Sequence, residues 1–450
     1  MLPAVIFGDM LLYLSMPNPV SLIPFGIFIS FVPLFLINRR TNGLKRALLN
    51  ALFSVFFSFL VVIPLDPGDL GPIFPDGLVL ILLFAAVGMI YSISFTLSAG
   101  LSDRLDWRFS PLFYGLGWIM IEYLLSQYFI LPPFPIGTSL VKFPALIQSA
   151  SHFGTYLIDF MIIFTNAVIA FVLFERKTIT SAILITILLV GQIFNYSYGA
   201  TRLNEKGHLS HRMRIAIIQP NISVKEYELK NNCGLFKKII DGQLIGLSKE
   251  SLNNSPDLII WPELTDDFVL QNDKRLVFLH REIASKGPDL LIGTSFMDYS
   301  NNSRKNIAFI LKENGDMTEP YIKQRIFPCS ESSIFTSGSG RRTLDTTHSG
   351  EIGVMICLES MYPQIARGEA KAGANALISI STDASFDNSM IPYIHSAEIV
   401  FRAIENDKYA VHCGNTGPSV ICDNRGRILT YIPYGKQAYA CAEISGKRQR

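Results

Sequence analysis

Apolar residues follow two different patterns along this chain. Before residue 200 they form long runs separated by short segments with Gly, Pro and charged residues, and after residue 210 they form short runs rich in Ile, Val and Leu. Runs of roughly 20 apolar residues can cross a bilayer as helices, whereas short β-branched runs are typical of buried strands. The pattern predicts a helical membrane domain over residues 1–200 and an α/β domain over residues 211–445.

The first domain contains seven candidate membrane spans. A single apolar run is also typical of a buried helix in a soluble protein, but a long series of such runs favours a membrane bundle. The first candidate is short for a bilayer. The candidates cover residues 2–16, 20–38, 48–65, 78–99, 111–128, 153–174 and 181–198.

Basic residues lie in alternate loops of this domain. Arg39 and Arg40 follow the second candidate span. Arg104 follows the fourth and Arg176 the sixth, whereas residues 66–76 contain neither Lys nor Arg. Because positively charged loops stay on the cytoplasmic side, an odd number of spans places residue 200 on the other side. The α/β domain is therefore expected to face the periplasm or the cell exterior.

Strands and helices alternate in the second domain, which predicts a mixed α/β sheet system. Asn314 and Gly315, between two of the strands, are a strong hairpin signal. The predicted strands cover residues 213–221, 257–261, 290–294, 306–312, 317–323, 352–356, 376–381 and 419–422, with a turn at 423–427. The predicted helices cover residues 227–249, 274–286, 361–372 and 393–407.

Cys357 stands where a predicted strand meets a predicted helix. Backbone N–H groups without a helical partner lie near such a junction and stabilise a thiolate or an oxyanion. A buried, inert cysteine that packs as a small hydrophobe is the other interpretation. The junction alone leaves both open.

Two charged residues also stand at predicted strand ends. Glu263 follows the apolar run 257–261, and Lys323 closes the second strand of the hairpin. Each charge taken separately is typical of a solvated strand end. Taken together with Cys357, they supply a base and a positive charge, which a thiol needs to act as a nucleophile near neutral pH.

All six cysteines lie in the second domain: Cys233, Cys329, Cys357, Cys413, Cys422 and Cys441. An even number outside the cytoplasm is compatible with disulfides, but a nucleophilic Cys357 must stay free. Cys413 and Cys422 flank a turn, and whether they pair is left open. His395 and His412 lack metal-ligand spacing and are interpreted as packing residues, so we expect no metal and no cofactor. The net charge of +2 gives no reason to propose nucleic acid binding.

The order Glu263, Lys323, Cys357 at successive strand ends resembles the carbon–nitrogen hydrolase (nitrilase) superfamily. With the membrane half, the whole layout resembles the apolipoprotein N-acyltransferases, which implies an αββα sandwich beside a multi-span bundle. The segments that carry this resemblance are Ile215 to Ile222, Trp261-Pro262-Glu263, Tyr321-Ile322-Lys323 with Pro328 and Glu331, Ile356 to Glu359, Arg402 to Glu405, and Asn415-Thr416-Gly417.

The resemblance implies a two-step acyl transfer at the outer face of a bacterial inner membrane. Cys357 would take a fatty acyl group from a phospholipid as a thioester and pass it to the α-amino group of a lipid-modified N-terminal cysteine on an apolipoprotein. Glu263 would be the general base and Lys323 the oxyanion stabiliser. Glu331 would hold Lys323 or the incoming amine, and Glu359 would support the site.

The chain departs from the family pattern in three places near the site. Leu358 replaces an aromatic residue, residues 328–331 replace a Pro-aromatic-Gly-Glu loop, and residues 382–386 replace an Asn-Asp-Ala-Trp-Phe segment. We expect Leu358, Asp383 and Phe386 in the substrate pocket. The departures leave two alternatives open: a membrane-tethered amidase or an acyltransferase for a different amine, and an inactive relative that binds lipid or a partner. The sequence leaves the oligomeric state open.

Overall fold

The computed structural model of the 450-residue chain divides into two compact units. The first contains Met1–Glu205 with Asn388–Ala397, and the second contains Lys206–Asp387 with Glu398–Arg450. The structure describes residues 1–62, 76–128, 134–175, 178–205, 211–223, 226, 241–266, 269–327, 331–340, 343–348, 350–386 and 388–446.

The first 205 residues, where described, form helices and turns. The α-helices are α1 (Leu2–Ser15), α2 (Val32–Arg40), α3 (Gly43–Val62), α4 (Asp76–Arg104), α5 (Ser110–Tyr128), α6 (Pro144–Ile147), α7 (Ala150–Phe153), α8 (Thr155–Glu175) and α9 (Ile179–Asn204). Four helical segments in the described residues are long and apolar enough to cross a membrane: Gly43–Val62, Ile81–Arg104, Thr155–Glu175 and Ile179–Asn204. They correspond to four of the seven predicted spans, and α1 is a shorter apolar helix.

Residues 20–38, predicted as one membrane span, do not form one continuous helix. This region forms a 3₁₀ turn, Pro24–Phe28, followed by α2, which begins with a proline in its first turn. The Asn166 side chain on α8 accepts a hydrogen bond from the Phe31 N–H at 2.9 Å and donates one to the Ile27 carbonyl at 2.8 Å. The break is tolerated because this amide satisfies backbone groups that a continuous helix would have paired.

The second unit contains two six-stranded sheets. Sheet A has the order β12-β1-β2-β3-β4-β5 and sheet B the order β11-β10-β9-β8-β7-β6. The strands are β1 (His211–Gln219), β2 (Leu258–Ile260), β3 (Asp289–Asp298), β4 (Ser303–Leu311), β5 (Tyr321–Ile322), β6 (Thr343–Thr346), β7 (Gly350–Ile356), β8 (Ala376–Ser381), β9 (Tyr409–Gly414), β10 (Ser419–Cys422), β11 (Ile428–Ile432) and β12 (Ala438–Gly446). Strands β1 to β3 run parallel, as do β7 to β9.

Apolar side chains fill the space between the sheets. Ile217 and Ile260 of sheet A share one buried cluster with Ile356 and Ile378 of sheet B. A second cluster packs the other face of sheet A against helical segments. The described helices of this unit are α10 (Gly246–Ser251), α11 (Asp273–Glu282) and α12 (Pro363–Lys371), with the part of α13 (Met390–Asn406) from Glu398 onward. The layers confirm the predicted αββα sandwich of the nitrilase type.

Most predicted strands and helices of this domain are present, but three strands were missed and one helix differs from its prediction. Strands β6, β9 and β12 were not predicted. Of the helix predicted at 227–249, residues 227–240 lie outside the described residues, and the remainder forms a π turn, Asp241–Ile245, followed by α10. The hairpin at Asn314-Gly315 is confirmed, since β4 pairs with β5 in antiparallel register and Gly315 has a φ of +89°.

Cys413 and Cys422 do not form a disulfide. Both are buried free thiols, and they lie in strands β9 and β10 of the sandwich. The Cys413 thiol of sheet B donates to the Ile218 and Ile260 carbonyls of sheet A, at 3.3 and 3.4 Å. Cys357 and Cys441 are not in disulfides either, and Cys233 and Cys329 lie outside the described residues.

Candidate active site

Cys357 occupies a sharp backbone turn at the end of β7. Ile356 is the last residue of that strand, and Cys357 opens a 3₁₀ turn that leads to α12. The Cys357 φ is +54°, in the left-handed region. Such a conformation costs about 1–3 kcal/mol in a residue other than glycine and is concentrated at functional sites. Cys357 as a residue is only partly buried, unlike the fully buried Cys413 and Cys422.

Glu263 lies in the turn that follows β2. Its side chain is fully buried, so the interpretation as a solvated strand end is wrong. Oε1 accepts a hydrogen bond from the Asn306 amide at 2.7 Å, and Oε2 accepts one from the Thr382 backbone N–H at 3.0 Å. Gly293 on β3 makes room for this turn, because a Cβ there would lie 2.8 Å from the Glu263 Cα.

Lys323 follows β5 and is also fully buried. Its ammonium donates to Glu263 Oε1 at 2.9 Å and to Glu331 Oε1 at 2.8 Å. Its backbone N–H donates to the Asn306 carbonyl at 2.9 Å. The structure thus brings three of the predicted site residues, Glu263, Lys323 and Glu331, into one hydrogen-bonded group.

The charges of these groups act on one another and on Cys357. Burial lowers the pKa of Lys323, but the negative charges of Glu263, Cys357 and Glu331 outweigh that effect and raise it above its ordinary value. Burial raises the pKa of Glu263, and the ammonium of Lys323 opposes that rise. Burial and the charge of Glu263 raise the pKa of Cys357 well above 9, against the lowering effect of Lys323. The resting thiol is therefore protonated and needs a base.

Glu359 joins the cysteine turn to the lysine segment. Its buried carboxylate accepts hydrogen bonds from the Ile356 N–H and the Tyr321 hydroxyl, both at 2.8 Å. It also accepts from the backbone N–H groups of Gln324 at 2.5 Å and Arg325 at 3.1 Å. The residue before Cys357 and the two residues after Lys323 are therefore bound to one side chain.

The three residues predicted for the substrate pocket lie on segments next to these groups. Leu358 directly follows Cys357 and is 6% exposed. A carboxylate oxygen of Asp383 lies within 4.8 Å of the Cys357 sulfur. The Phe386 ring meets the Phe327 ring edge to face, with centroids 5.8 Å apart. Phe327 is itself tied to the site, because its N–H donates to Glu331 Oε2 at 2.8 Å.

The opening and closing segments of the resemblance also meet. The Asn415 side chain accepts from the Ile222 N–H at 3.0 Å and donates to the Ile222 carbonyl at 2.7 Å. The Asn415 carbonyl accepts from the Asn221 N–H at 2.9 Å. Arg402, fully buried, contacts Glu398 and Glu405 at 3.2 and 3.1 Å. These contacts join distant segments of the domain, and the Asn415 N–H also donates to the Ser381 carbonyl at 3.0 Å, one residue before Thr382.

Sequence reasoning missed two contributors to the site. Asn306, on β4 opposite Ser295, holds both the Glu263 carboxylate and the Lys323 backbone. The sequence feature that could have identified Asn306 is its polar amide next to the apolar run of strand β4. The Thr382 backbone N–H, which binds Glu263, carries no sequence signal because any residue except proline supplies that donor.

The arrangement has the parts needed for acyl or nitrile chemistry on a thiol. A buried carboxylate can accept the thiol proton. An ammonium beside it can stabilise a developing oxyanion, a contribution worth on the order of 10² to 10³ in rate. That the site works without a metal or cofactor stays a prediction.

Comparisons with known proteins extend over both units. The sequence profile of the carbon-nitrogen hydrolase family matches residues 214–449, and that of the apolipoprotein N-acyltransferase N-terminal domain matches residues 10–168. The chain is 27% identical over 487 aligned residues to apolipoprotein N-acyltransferase 1 of Treponema denticola, covering 95% of this chain and 87% of that protein. It is 28% identical over 444 residues to an apolipoprotein N-acyltransferase of Aquifex aeolicus, covering 91% and 92%. Among solved structures it is similar to Saccharomyces cerevisiae Nit3, a nitrilase-superfamily protein, with 21% identity, a TM-score of 0.41, and 54% of this chain and 93% of that chain covered.

Proposed function

The chain belongs to the carbon–nitrogen hydrolase family, and we propose that it transfers a fatty acyl group from a phospholipid, through a thioester on Cys357, to the α-amino group of a lipid-modified N-terminal cysteine on an apolipoprotein. It is a membrane acyltransferase of the kind that matures lipoproteins. The observation that carries the proposal is the buried contact of 2.9 Å between the Lys323 ammonium and the Glu263 carboxylate beside the Cys357 thiol.

Similarity over nearly the whole chain favours this function over that of a soluble amidase. Relatives named apolipoprotein N-acyltransferase cover both the helical unit and the catalytic unit. Four apolar helices provide surface for a bilayer. The most exposed of these four is Ile179–Asn204, in which only 11% of the most apolar stretch is buried. Both proposed substrates carry lipid chains, so a membrane-anchored site would meet them in the same leaflet.

In the first half-reaction, Glu263 takes the thiol proton while the Cys357 sulfur attacks an ester carbonyl of the phospholipid. The electron pair that moves to the carbonyl oxygen faces the Lys323 ammonium. When the ester C–O bond breaks, Glu263 returns the proton to the leaving oxygen, and a lysophospholipid departs. The product is a thioester on Cys357, with Glu263 again ionised.

In the second half-reaction, the amine of the acceptor attacks the thioester carbon. Glu263 takes a proton from the nitrogen and gives it to the leaving sulfur, so the thiol is restored and an amide is formed. Because a thioester also reacts with water, transfer to an amine requires a site from which water is excluded. Because the lysophospholipid leaves before the amine reacts with the covalent thioester, the proposed mechanism is of the ping-pong type.

The remaining predicted residues have supporting roles in this proposal. Glu331 orients Lys323, because its two oxygens bind the ammonium and the Phe327 N–H. Glu359 fixes the cysteine turn against the lysine segment. Leu358 and Phe386, with Phe327, provide apolar contact for the acyl chain beside the thiol.

For the location of the protein, we propose the bacterial inner membrane, with the catalytic unit on its periplasmic or outer side. The support is the set of basic residues after candidate spans two, four and six, including Arg39 and Arg40 in the last turn of α2. These loops would be cytoplasmic by the positive-inside rule.

The test uses the full chain in detergent micelles with a phospholipid that carries an alkyne on its acyl chain. We expect the label on Cys357, found by peptide mass spectrometry and released by hydroxylamine. Addition of a diacylated lipopeptide should then move the label to the peptide amine. Cys357→Ser should take no thioester label, and Cys422→Ser, which alters a buried free thiol of the same domain, should label normally.

Three results would contradict the proposal. Full activity of Cys357→Ser would remove the nucleophile from the mechanism. Release of the label to water alone, with no gain by the lipopeptide, would favour the amidase alternative. No labelling under any condition would favour an inactive lipid-binding relative.

A further inference from the structure

The segment after β8 serves both the general base and the thiol. The Thr382 N–H donates to Glu263 Oε2 at 3.0 Å, and the next residue, Asp383, has a carboxylate oxygen within 4.8 Å of the Cys357 sulfur. Asp383 is 1% exposed. A third carboxylate, besides Glu263 and Glu331, therefore faces the reacting sulfur.

A hydrogen bond and a close packing neighbour restrict this carboxylate. The Ser381 hydroxyl, at the end of β8, donates to Asp383 Oδ1 at 2.9 Å. The His412 ring on β9 lies with Nε2 4.0 Å from Asp383 Oδ2, beyond hydrogen-bond distance, and its Nδ1 lies 3.2 Å from the Ser379 hydroxyl. A buried carboxylate that is hydrogen-bonded at one oxygen has a restricted orientation, as a group that positions a substrate must have.

The position of Asp383 is unfavourable for the first half-reaction. Burial raises the pKa of Cys357, and the charges of Glu263 and Asp383 raise it further, so both disfavour a thiolate. Glu263 compensates by accepting the thiol proton, and Lys323 binds both Glu263 and Glu331. Asp383 has no such role in acylation. Its charge becomes useful once the sulfur carries an acyl group and is neutral, because the next group to arrive is an amine that is cationic in water.

We propose that Asp383 is the binding site for the ammonium group of the acyl acceptor and takes the first of its two transferable protons. The inference rests on the acyl transfer proposed above and assigns the half-reaction in which Asp383 acts. The acceptor class it implies is a primary amine that arrives protonated, as an N-terminal α-amine does. The thioester carbon is bonded directly to the sulfur, so an amine held by Asp383 lies beside its target.

The protons balance in this scheme. The ammonium gives one proton to the Asp383 carboxylate and becomes a neutral amine. The nitrogen lone pair then forms the C–N bond, the C–S bond breaks, and Glu263 carries the second proton from nitrogen to sulfur. The amide leaves, the thiol is restored, and Asp383 releases its proton to solvent. One proton is set free for each ammonium consumed.

The experiment separates the half-reactions with Asp383→Asn in the full-length protein. The acyl-enzyme is formed with alkyne phospholipid and then treated with either a diacylated lipopeptide or hydroxylamine, which is largely uncharged at neutral pH. We expect thioester formation within about threefold of wild type, and transfer to the lipopeptide slowed by about 100-fold, the usual size of a lost acid–base contribution. Release by hydroxylamine should stay within about threefold of wild type, because an uncharged amine needs neither the ion pair nor the first proton transfer.

Two further variants control for damage to the fold. Asp383→Glu keeps the carboxylate and should transfer the acyl group to lipopeptide at least about tenfold faster than Asp383→Asn. Asp345→Asn removes an exposed carboxylate that pairs with Lys312 and should match wild type in every step. The inference would be overturned if Asp383→Asn slowed the reactions with lipopeptide and with hydroxylamine equally. It would also be overturned if Asp383→Asn transferred the acyl group to lipopeptide at the wild-type rate, or if it lost thioester formation to the same extent as transfer. Absence of a thioester in the wild-type protein would instead overturn the proposed function.

Discussion

Glu359 Oε1 accepts a hydrogen bond of 2.5 Å from the backbone N–H of Gln324, the residue that follows Lys323. The other oxygen of the same carboxylate accepts from the N–H of Ile356, the residue that precedes Cys357. The separation of the thiol and the ammonium is therefore set through one buried side chain. We therefore propose that Glu359 is a positioning residue, which would act through the segments that carry Cys357 and Lys323.

We expect Glu359→Gln to lower the rate of thioester formation by about 10–100-fold, because a displacement of about 1 Å between reacting groups has effects of this size. The amide nitrogen of Gln would face backbone N–H donors, and each buried donor left without an acceptor costs about 1–3 kcal/mol. The measurement is the initial rate of Cys357 labelling together with the thermal midpoint. Glu443→Gln, which alters an exposed partner of Arg212, is the control and should change neither. An unchanged labelling rate in Glu359→Gln would contradict the positioning role.

Glu263→Gln should change the rates of two reactions of Cys357 in opposite directions. The negative charge of Glu263 contributes to the raised pKa of Cys357, so a neutral Gln lowers that pKa and increases the thiolate fraction at a given pH. Alkylation by iodoacetamide, which requires only thiolate, should become faster at pH 8. Acylation by phospholipid should fall by about 10² to 10⁴, because the general base is lost. Slower alkylation of the variant would show that Glu263 does not act on the thiol as proposed.

The pH dependence of acylation follows from the same base. Glu263 must be ionised to accept the thiol proton, and burial raises its pKa above the ordinary value of 4.5. The wild-type rate of thioester formation should therefore rise with pH and reach half of its plateau above pH 4.5, as measured in single-turnover labelling. A plateau that already extends to pH 4.5 would contradict the assignment of Glu263 as the base.

Gly293→Ala should disable the site without touching a reacting group. The added Cβ would lie 2.7 Å from the Pro262 carbonyl and 2.8 Å from the Glu263 Cα, so the backbone that carries the base has to move. We expect thioester formation to fall by about 100-fold, as for other displacements of this size. Gly242→Ala, where a Cβ meets nothing within 4 Å, is the matched control and should keep wild-type activity. Equal rates in the two variants would show that the close approach at Gly293 is unimportant.

We expect the Phe327 and Phe386 rings to contribute jointly to phospholipid binding. They meet edge to face, and such pairs contribute about 0.5–1.5 kcal/mol beyond buried area. In a double-mutant cycle with alanine, each single change should raise KM for phospholipid about 3–10-fold, and the double variant should be less impaired than the product of the two. The lipopeptide KM serves as the internal control. Purely multiplicative effects would indicate that the rings act independently.

The catalytic segments could be predicted because their signals are local. Strand β8 has the predicted bounds, Ala376–Ser381, and the Asn314-Gly315 turn lies where the sequence indicated it. Glu263, Lys323 and Cys357 each stand at the end of a short apolar run, but each signal alone was ambiguous, and only the three together indicated a site. Their convergence was inferred by resemblance, since sequence spacing carries no information about which strand ends meet.

The missed features depend on tertiary contacts. Strand β12, Ala438–Gly446, has an interrupted apolar pattern and is defined by its pairing with β1 over nine residues. The break between Pro24–Phe28 and α2 is stable because Asn166 is near in space, although it is far along the chain. The left-handed backbone at Cys357 likewise has no signal in the residue type.

The division of the reacting groups between two sheets has a consequence for biogenesis. Glu263 and Lys323 follow strands of sheet A, whereas Cys357 and Asp383 follow strands of sheet B. Sheet A is complete only when β12 has paired with β1, long after the cysteine has been synthesised. The thiol and its proposed base therefore come together only when the two sheets pack against each other. Activation of Cys357 as proposed above would depend on tertiary folding of the whole sandwich, and a partly folded chain would lack it.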